Sequence, residues 1–316
     1  MGENSEEEDM IKIVPTNQKY HYDLMKQNIR ELKRAYPFLE IKTAGRSVLG
    51  KPIPYIKIGT GKKQILYHAS IHANEWITSV LLMKFIENFC KAYIFNQNIQ
   101  GYSAQRLFQN ISLYIIPMVN PDGVDLVTGN IDKKSKIYQN YQEIASRFPT
   151  IPFPDGWKAN FNGVDLNLQF PAGWRDAKKI KFKQGFTGPA PRDFVGEGPL
   201  TQPEALMLYD FTLSHDFSLT ISYHTQGQEI YWDFQNINPP RGYEIGRQFA
   251  KVSGYDLTEV PYNSSFAGYK DWFIQDYNRP GYTIEAGAGE NPLPISQFNQ
   301  IYQDNEGILL YGMILA

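Results

Sequence analysis

Cysteine is almost absent from the sequence: Cys90 is the one cysteine among 316 residues. A single thiol excludes an internal disulfide framework and a thiolate-rich metal cluster, because both need several cysteines. Cys90 lies in an apolar helical pattern, which predicts a core residue. Long apolar runs are absent as well, and without a stretch of about 18 apolar residues the sequence contains no membrane-spanning helix.

The sequence also lacks an excess of either charge. Its 31 basic and 33 acidic residues leave a formal charge of −2, which argues against a nucleic-acid binder. The segment from Met1 to Asp9 is acidic and polar and shows neither the basic nor the apolar region of a signal peptide. We therefore expect a tail or linker over residues 1–14, one domain over residues 15–316, and a cytoplasmic protein. An upstream export or wall-binding module is the alternative.

Apolar residues make up 42% of the sequence and aromatic residues 14%, enough for one large core. Strand and helix patterns alternate along the chain, which predicts an α/β domain with a mainly parallel sheet and helices on both faces. The segment 130–200 has no dominant pattern, and loops of that length are usually functional. The patterns predict, in order, a helix within 20–35, a hairpin of strands 55–59 and 64–68, a helix from 76, a strand at 113–118, a turn at 120–123, a capping box at 201–204 that starts a helix, a strand at 218–223, a helix near 243–252, a strand at 281–284 and a helix near 295–315.

The chemistry centres on two of only five histidines. His72 and His224 each follow an apolar strand, where open α/β sheets place their ligands. Glu75 comes three residues after His72, close enough for both side chains to reach one ion. Two histidines and one carboxylate, with a fourth position left for water, make up a catalytic zinc site. The spacing alone equally fits a polar turn with Glu75 at a helix start.

Five short motifs give that spacing a context. They occur in one order: His72-Ala73-Asn74-Glu75-Trp76, Asn120-Pro121-Asp122-Gly123, Gly163-Val164-Asp165-Leu166-Asn167, Ser222-Tyr223-His224 and Tyr282-Thr283-Ile284-Glu285. This succession resembles the zinc carboxypeptidase family from about Tyr20 to the C-terminus. The resemblance implies a catalytic zinc peptidase domain with a mixed sheet of about eight strands. It also implies one Zn²⁺ per chain, held by His72, Glu75 and His224.

The same resemblance assigns three further roles. Asp165 matches the carboxylate that orients the first ligand histidine, with an ordinary turn aspartate as the alternative. Glu285 matches the general base that activates water. Lys158, in Trp157-Lys158, stands where the family has an arginine facing the tetrahedral oxyanion, so the resemblance implies the same electrostatic role for a lysine.

Departures from the family pattern concern substrate binding. Asn167 is retained, but Leu168 follows it where carboxypeptidases have the arginine that clamps the terminal carboxylate. Lys270 falls where the family places the residue at the floor of its specificity pocket, so the resemblance implies a cation that can recognise an acidic side chain; an ordinary surface lysine is the alternative. Tyr262 lies near the family's tyrosine that covers bound substrate, although its spacing to Asp271 is one residue longer than the resemblance leads us to expect; a packing role is the alternative.

Together these departures resemble the bacterial γ-D-glutamyl-L-diamino acid endopeptidase branch, supported by Lys158-Ala159-Asn160 and Gln169-Phe170-Pro171-Ala172. The implied partner is a peptidoglycan-derived peptide, cut between side-chain-linked D-glutamate and a diamino acid such as diaminopimelate. Three alternatives stay open: a true carboxypeptidase that uses another cation, such as Arg175 or Arg279; a zinc-bound relative without turnover; and a small deacylase. The sequence predicts no oligomeric state.

Overall fold

The computed structural model describes residues 12–316, and these contain ten α-helices and ten β-strands. The helices are α1 (Tyr22–Ala35), α2 (Ile77–Ile94), α3 (Ala104–Asn110), α4 (Pro121–Thr128), α5 (Lys136–Ser146), α6 (Trp174–Lys183), α7 (Pro203–Leu213), α8 (Gly242–Ser253), α9 (Tyr269–Tyr277) and α10 (Phe298–Leu315). The strands are β1 (Glu40–Arg46), β2 (Pro52–Ile58), β3 (Lys63–Ala69), β4 (Asn98–Ile99), β5 (Tyr102–Ser103), β6 (Ile111–Ile116), β7 (Phe217–His224), β8 (Glu229–Tyr231), β9 (Asp256–Thr258) and β10 (Gly281–Glu285).

Eight of the strands form one mixed sheet in the order β1-β2-β6-β3-β7-β10-β8-β9. The central strands β6, β3, β7 and β10 run parallel. The β1–β2, β2–β6 and β10–β8 pairs are antiparallel, and β9 pairs parallel to β8. The predicted α/β architecture with a mixed, mainly parallel sheet of about eight strands is therefore confirmed.

The core is divided by the sheet because successive side chains of a strand point to opposite faces. On β3, Ile65 and Tyr67 join one apolar cluster and Leu66 joins the other. Helices α2 and α10 pack into the first cluster, and α7 and α9 pack into the second. Both faces of the sheet are thus covered by helices, as α/β alternation predicts.

The predicted hairpin of strands 55–59 and 64–68 is wrong. Strand β6 lies between β2 and β3, paired antiparallel to one and parallel to the other. The glycines of the connection serve a different purpose, since a Cβ at Gly59 would lie 2.1 Å from the carbonyl oxygen of Ile111 and one at Gly61 would lie 1.9 Å from the backbone of Asn110. The turn therefore packs against the start of β6, a contact that local sequence cannot reveal.

The predicted turn at 120–123 is the start of helix α4. The Asn120 side chain accepts a hydrogen bond from the backbone N–H of Gly123, and Pro121 occupies the first helical position. The segment 130–200, predicted without a dominant element, contains helices α5 and α6. Amphipathic helices can start wherever a side chain caps the first turn, as Ser135 does for α5.

The predicted capping box at 201–204 is also wrong, although a helix does start there. The Thr201 hydroxyl donates to Gln169 instead of capping α7. Glu204 is fully buried, where it accepts hydrogen bonds from Val48 N–H at 2.9 Å and Asn160 Nδ2 at 3.1 Å. Tertiary partners have thus replaced the local capping bonds.

Of the expected tail, residues 1–11 lie outside the described residues. Ile13 and Val14 donate their backbone N–H groups to the Glu87 carboxylate, so packing begins within the last residues of the expected tail. Cys90 is buried on α2, as predicted. In the described part of the chain, none of the helices combines the length and apolar character needed to cross a bilayer.

Candidate active site

Three strand ends place the predicted catalytic groups at one edge of the sheet. His224 is the last residue of β7 and Glu285 the last of β10, and the two are direct partners in the parallel ladder. His72 follows β3, the neighbour of β7 on its other side. Because carboxyl ends of parallel strands meet at the same sheet edge, residues more than 200 positions apart become neighbours.

A tight turn after β3 brings Glu75 to His72. Ser70 has a positive φ of 49°, His72 is extended, and residues 73–75 form a 3₁₀ turn that leads into α2. The Thr78 hydroxyl donates to the Glu75 carbonyl at 2.7 Å and fixes the turn. Both side chains therefore point to the same space, as the His-x-x-Glu spacing predicts.

His72, Glu75 and His224 form a buried cluster whose potential ligand atoms all lie within 4.8 Å of one another. His224 Nδ1 lies 3.2 Å from His72 Nδ1 and 3.0 Å from Glu75 Oε2, and His72 Nδ1 lies 3.0 Å from Glu75 Oε1. Two nitrogens about 2.0–2.1 Å from one zinc ion at a tetrahedral angle would be about 3.3 Å apart. The donor set and its spacing therefore fit a zinc ion.

Burial and neighbouring charges have opposing effects on the pKa values of the cluster. Burial alone disfavours the imidazolium of His72, but the Glu75 and Asp165 carboxylates outweigh it and raise the pKa of His72 to about 9. Burial lowers the pKa of His224. For Glu75, burial is overcome by Lys158 and His72, and the pKa lies well below its ordinary value. The cluster thus holds a carboxylate ready to bind a cation, with protons that a metal would displace.

Asp165 contacts His72 on the side away from the cluster. Its Oδ1 lies 3.1 Å from His72 Nε2 and also accepts the backbone N–H of Asn167, while Oδ2 accepts the backbone N–H of Asp193. Although Asp165 is buried, the charge of His72 lowers its pKa. A carboxylate at this place favours a proton on His72 Nε2, so that a metal would displace the proton on Nδ1 and bind there. The orienting role of Asp165 stays a prediction.

Glu285 lines the same cleft, which has a volume of about 900 Å³. No hydrogen-bond donor among residues 12–316 contacts its carboxylate. Removal from water and repulsion by Glu75 raise the pKa of Glu285 to about 8, despite the opposing charges of Lys158 and His72. A half-buried, unpaired carboxylate with a raised proton affinity suits a general base.

Lys158 enters the cleft beside the cluster. Its Nζ lies 2.9 Å from Glu75 Oε1, and its backbone carbonyl accepts the N–H of Ala73. Burial opposes the charge of this lysine, but Glu75 more than compensates and raises the pKa of Lys158. The predicted cation is therefore present at the site, with one ammonium proton directed to the candidate ligand Glu75.

The predicted substrate-binding residues Asn167 and Lys270 also line the cleft, next to Leu168. Asn167 Oδ1 accepts the backbone N–H of Tyr269 and so joins the cleft to the start of α9. Lys270 is 4% exposed, and its Nζ contacts Asp271 Oδ1 at 2.7 Å and the carbonyl oxygen of Asp233. The alternative of an ordinary surface lysine is wrong, yet the charge of Lys270 is already paired.

Tyr262 lies at the rim and not in the cleft. Its side chain is 66% exposed and meets the Phe266 ring edge-on at a centroid distance of 5.2 Å. It neighbours Lys270 and Asp271 in a smaller adjoining depression. A covering role for Tyr262 stays a prediction.

One arginine in the cleft was missed by the sequence analysis. Arg192 lines the cleft, whereas Arg175 is exposed on α6 outside it and Arg279 pairs with Asp216 at the opposite end of β7. Burial opposes the charge of Arg192, but the carboxylates of Asp193, Asp165 and Glu75 together raise its pKa. The only signal in the sequence was its place in the long segment 130–200, which was marked as functional by length.

Known proteins resemble this chain over almost its full length. A model of the family described as zinc carboxypeptidase matches residues 25–307. Gamma-D-glutamyl-L-diamino acid endopeptidase 1 of Lysinibacillus sphaericus is 45% identical over 304 residues, which cover 96% of this chain and 74% of that protein. The uncharacterized protein YqgT of Bacillus subtilis is 38% identical over 292 residues, covering 92% of this chain and 76% of that protein.

A solved structure shows the same fold. Carboxypeptidase A from Helicoverpa armigera superposes with a TM-score of 0.70 at 20% sequence identity, over 96% of this chain and 75% of that one. At this identity the likeness concerns the fold alone.

Proposed function

The chain belongs to the zinc carboxypeptidase family, and from that premise we propose that it hydrolyses γ-D-glutamyl bonds to a diamino acid in cell-wall peptides. The observation that carries the reaction class is the buried His72–Glu75–His224 cluster, which faces the same cleft as the unpaired Glu285. The substrate class is supported by the 45% identical relative, whose name specifies a γ-D-glutamyl-L-diamino acid endopeptidase.

In the proposed reaction, His72, Glu75 and His224 would hold one zinc ion. The chemistry that zinc supplies when bound is polarisation of a carbonyl and activation of water. Glu285 accepts the proton of the attacking water and delivers it to the departing amine. Lys158 keeps two ammonium protons beyond the one directed to Glu75, and these can face the negative charge that develops on the carbonyl oxygen.

The substrate-side residues support cleavage of a diaminopimelate peptide. Leu168 offers no charge to a terminal carboxylate, so a carboxypeptidase would need another cation. Lys270 gives two of its three ammonium protons to Asp271 and to the Asp233 carbonyl, and we propose that the third binds the side-chain carboxylate of diaminopimelate. Asn167 Nδ2 would donate to the substrate backbone, and Tyr262 would cover the substrate from the rim.

The test is mass spectrometry of defined peptides after incubation with the purified protein. L-alanyl-γ-D-glutamyl-diaminopimelate should yield free diaminopimelate, and a chelator should abolish this release until zinc is restored. The α-linked isomer is the matched control and should stay intact. Release of residues from the C-terminus of ordinary peptides, with the γ-linked substrate intact, would instead identify a carboxypeptidase.

We also propose a cytoplasmic location, where such an enzyme would act on recycled wall peptides. Fractionation of the native host with an antibody to the chain tests this proposal. Recovery from the wall or medium would contradict it.

A further inference from the structure

Arg192 stands next to the catalytic centre on the side of Lys158. The carbonyl of the preceding residue, Pro191, accepts the backbone N–H groups of Lys158 at 2.8 Å and Ala159 at 2.9 Å. Arg192 and Lys158 both line the cleft. The guanidinium therefore neighbours the lysine that contacts the candidate metal ligand Glu75.

The position of Arg192 is fixed by Asp193. Arg192 Nε donates to Asp193 Oδ2 at 2.6 Å, and Lys181 Nζ contacts the other oxygen, Oδ1, at 2.6 Å. The backbone N–H of Asp193 donates to Asp165, the carboxylate predicted to orient His72. The arginine is thus tied, through one residue, to the same network that contacts a candidate zinc ligand.

The far end of the Arg192 side chain is free. Among residues 12–316, neither of its two terminal nitrogens has a hydrogen-bond partner, and the side chain is 41% exposed. Lys181 shares the charge of Asp193, so one unit of positive charge remains on this group of three residues. A guanidinium whose terminal nitrogens are free can bind a carboxylate through two parallel hydrogen bonds.

The chemistry of the proposed substrate supplies such a carboxylate. When D-glutamate is linked through its side-chain carboxyl, its α-carboxylate remains free on the acyl side of the scissile bond, a short carbon chain from the reacting carbonyl. Lys158 is proposed to face the oxygen of that carbonyl, and Arg192 is its neighbour. We propose that Arg192 binds the free α-carboxylate of the D-glutamyl residue and so selects γ-linked D-glutamate. This inference rests on the proposed function.

A pair of substrates tests this assignment. L-alanyl-γ-D-glutamyl-diaminopimelate carries the α-carboxylate, and its isoglutamine analogue carries a carboxamide in the same place. We expect kcat/KM of the native protein to be about 10–100-fold higher for the acid than for the amide, the range of a charge-assisted hydrogen bond. Arg192→Gln should lose that preference by lowering kcat/KM for the acid, with the amide changed by less than about threefold.

Two variants control for structural damage. Arg192→Lys keeps the positive charge but loses the paired terminal nitrogens of the guanidinium, so it should retain an intermediate preference for the acid over the amide. Arg175→Gln removes an exposed arginine outside the cleft and should leave both substrates unaffected. The unfolding temperature of each variant, measured alongside, shows whether it is folded.

The outcomes separate this inference from the proposed function. If the native protein cleaves neither substrate, the proposed function fails. If it cleaves both but Arg192→Gln lowers kcat/KM for acid and amide equally, Arg192 does not read the α-carboxylate. If the effect of Arg192→Gln disappears only when a carboxylate of diaminopimelate is converted to an amide, the arginine acts on the amine side and the assignment is overturned.

Discussion

The floor of the cleft and its walls are built in different ways. The floor, formed by His72, Glu75, His224 and Glu285, stands on three adjacent strand ends and the turn that follows one of them. The cations of the walls include Lys270 at the start of α9 and Arg192 in the long segment before α7. The floor is fixed by the sheet and carries the residues proposed to perform the chemistry, whereas the walls depend on loops and carry the cations proposed to select the substrate.

These two wall cations also differ from each other. The Lys270 ammonium is buried and paired with Asp271 at 2.7 Å. The Arg192 guanidinium is half-exposed and leaves its terminal nitrogens unpaired within the described residues. A cation that is already paired with a buried carboxylate contributes mainly to the stability of the fold. A cation with free hydrogen-bond donors is available to bind a ligand. The predictions below test both contrasts.

Replacement of Glu285, the unpaired carboxylate of the floor, should have the largest effect on turnover. Glu285→Gln keeps the shape of the side chain but removes the base, so we expect kcat to fall by about 10²–10⁴-fold with zinc content unchanged. Steady-state kinetics and elemental analysis measure both quantities. Glu290→Gln, at an exposed carboxylate on the rim of the same cleft, is the matched control and should be near native. An active Glu285→Gln variant would refute the assignment of the base.

Lys270→Met should destabilise the protein more than any other wall substitution. It leaves Asp271 charged and buried without its cation, at a cost of about 3–5 kcal/mol in the free energy of unfolding. The control Lys179→Met removes an exposed ion pair with Asp176 and should cost at most about 1 kcal/mol. Urea unfolding compares the two variants. Equal stabilities would mean that Lys270 is not paired in solution and is as free for substrate as Arg192.

Asp165→Asn should weaken zinc binding by about 10–100-fold, because the neutral amide no longer holds the His72 imidazole with the same charge. Competition with a chelator of known affinity measures the change. Asp155→Asn, at another carboxylate of the cleft that makes no contact with His72, should leave zinc affinity unchanged. Equal losses in both variants would point to the overall charge of the cleft instead of the Asp165 contact.

Zinc affinity should rise with pH. The pKa of His72 is raised to about 9, so the metal-free protein holds a proton on this imidazole at neutral pH, and zinc must displace it. The apparent affinity should therefore increase about tenfold for each pH unit below about 9 and flatten above it. In Asp165→Asn the plateau should begin at lower pH, because one of the carboxylates that raises the pKa is gone. A flat profile from pH 7 to 9 would show that His72 is already neutral.

The contrast between floor and walls also explains what the sequence could predict. His72 and His224 follow apolar strands, and strand ends of a parallel sheet meet at one edge, so local patterns and a known motif order were enough. The hairpin of β2 and β3 was predicted wrongly because β6 inserts between them from a distant part of the chain. Arg192 was missed for a similar reason, since only the folded loop brings the carbonyl group of the preceding residue, Pro191, against Lys158.

For Lys270, the sequence predicted the position but not the pairing of the charge. Its motif position correctly predicted a place in the cleft, but the neighbouring Asp271 turns the same lysine into half of a buried ion pair. Adjacent opposite charges are common on helices and usually exposed, so the sequence gives no sign that this pair is desolvated.

X-ray absorption at the zinc edge of the purified protein tests the central claim most directly. We predict one zinc ion per chain with two imidazole nitrogens at about 2.0–2.1 Å and oxygen ligands, and a single imidazole in His224→Ala. Protein purified without chelator that retains no zinc, or a spectrum that is the same in His224→Ala, would contradict the account.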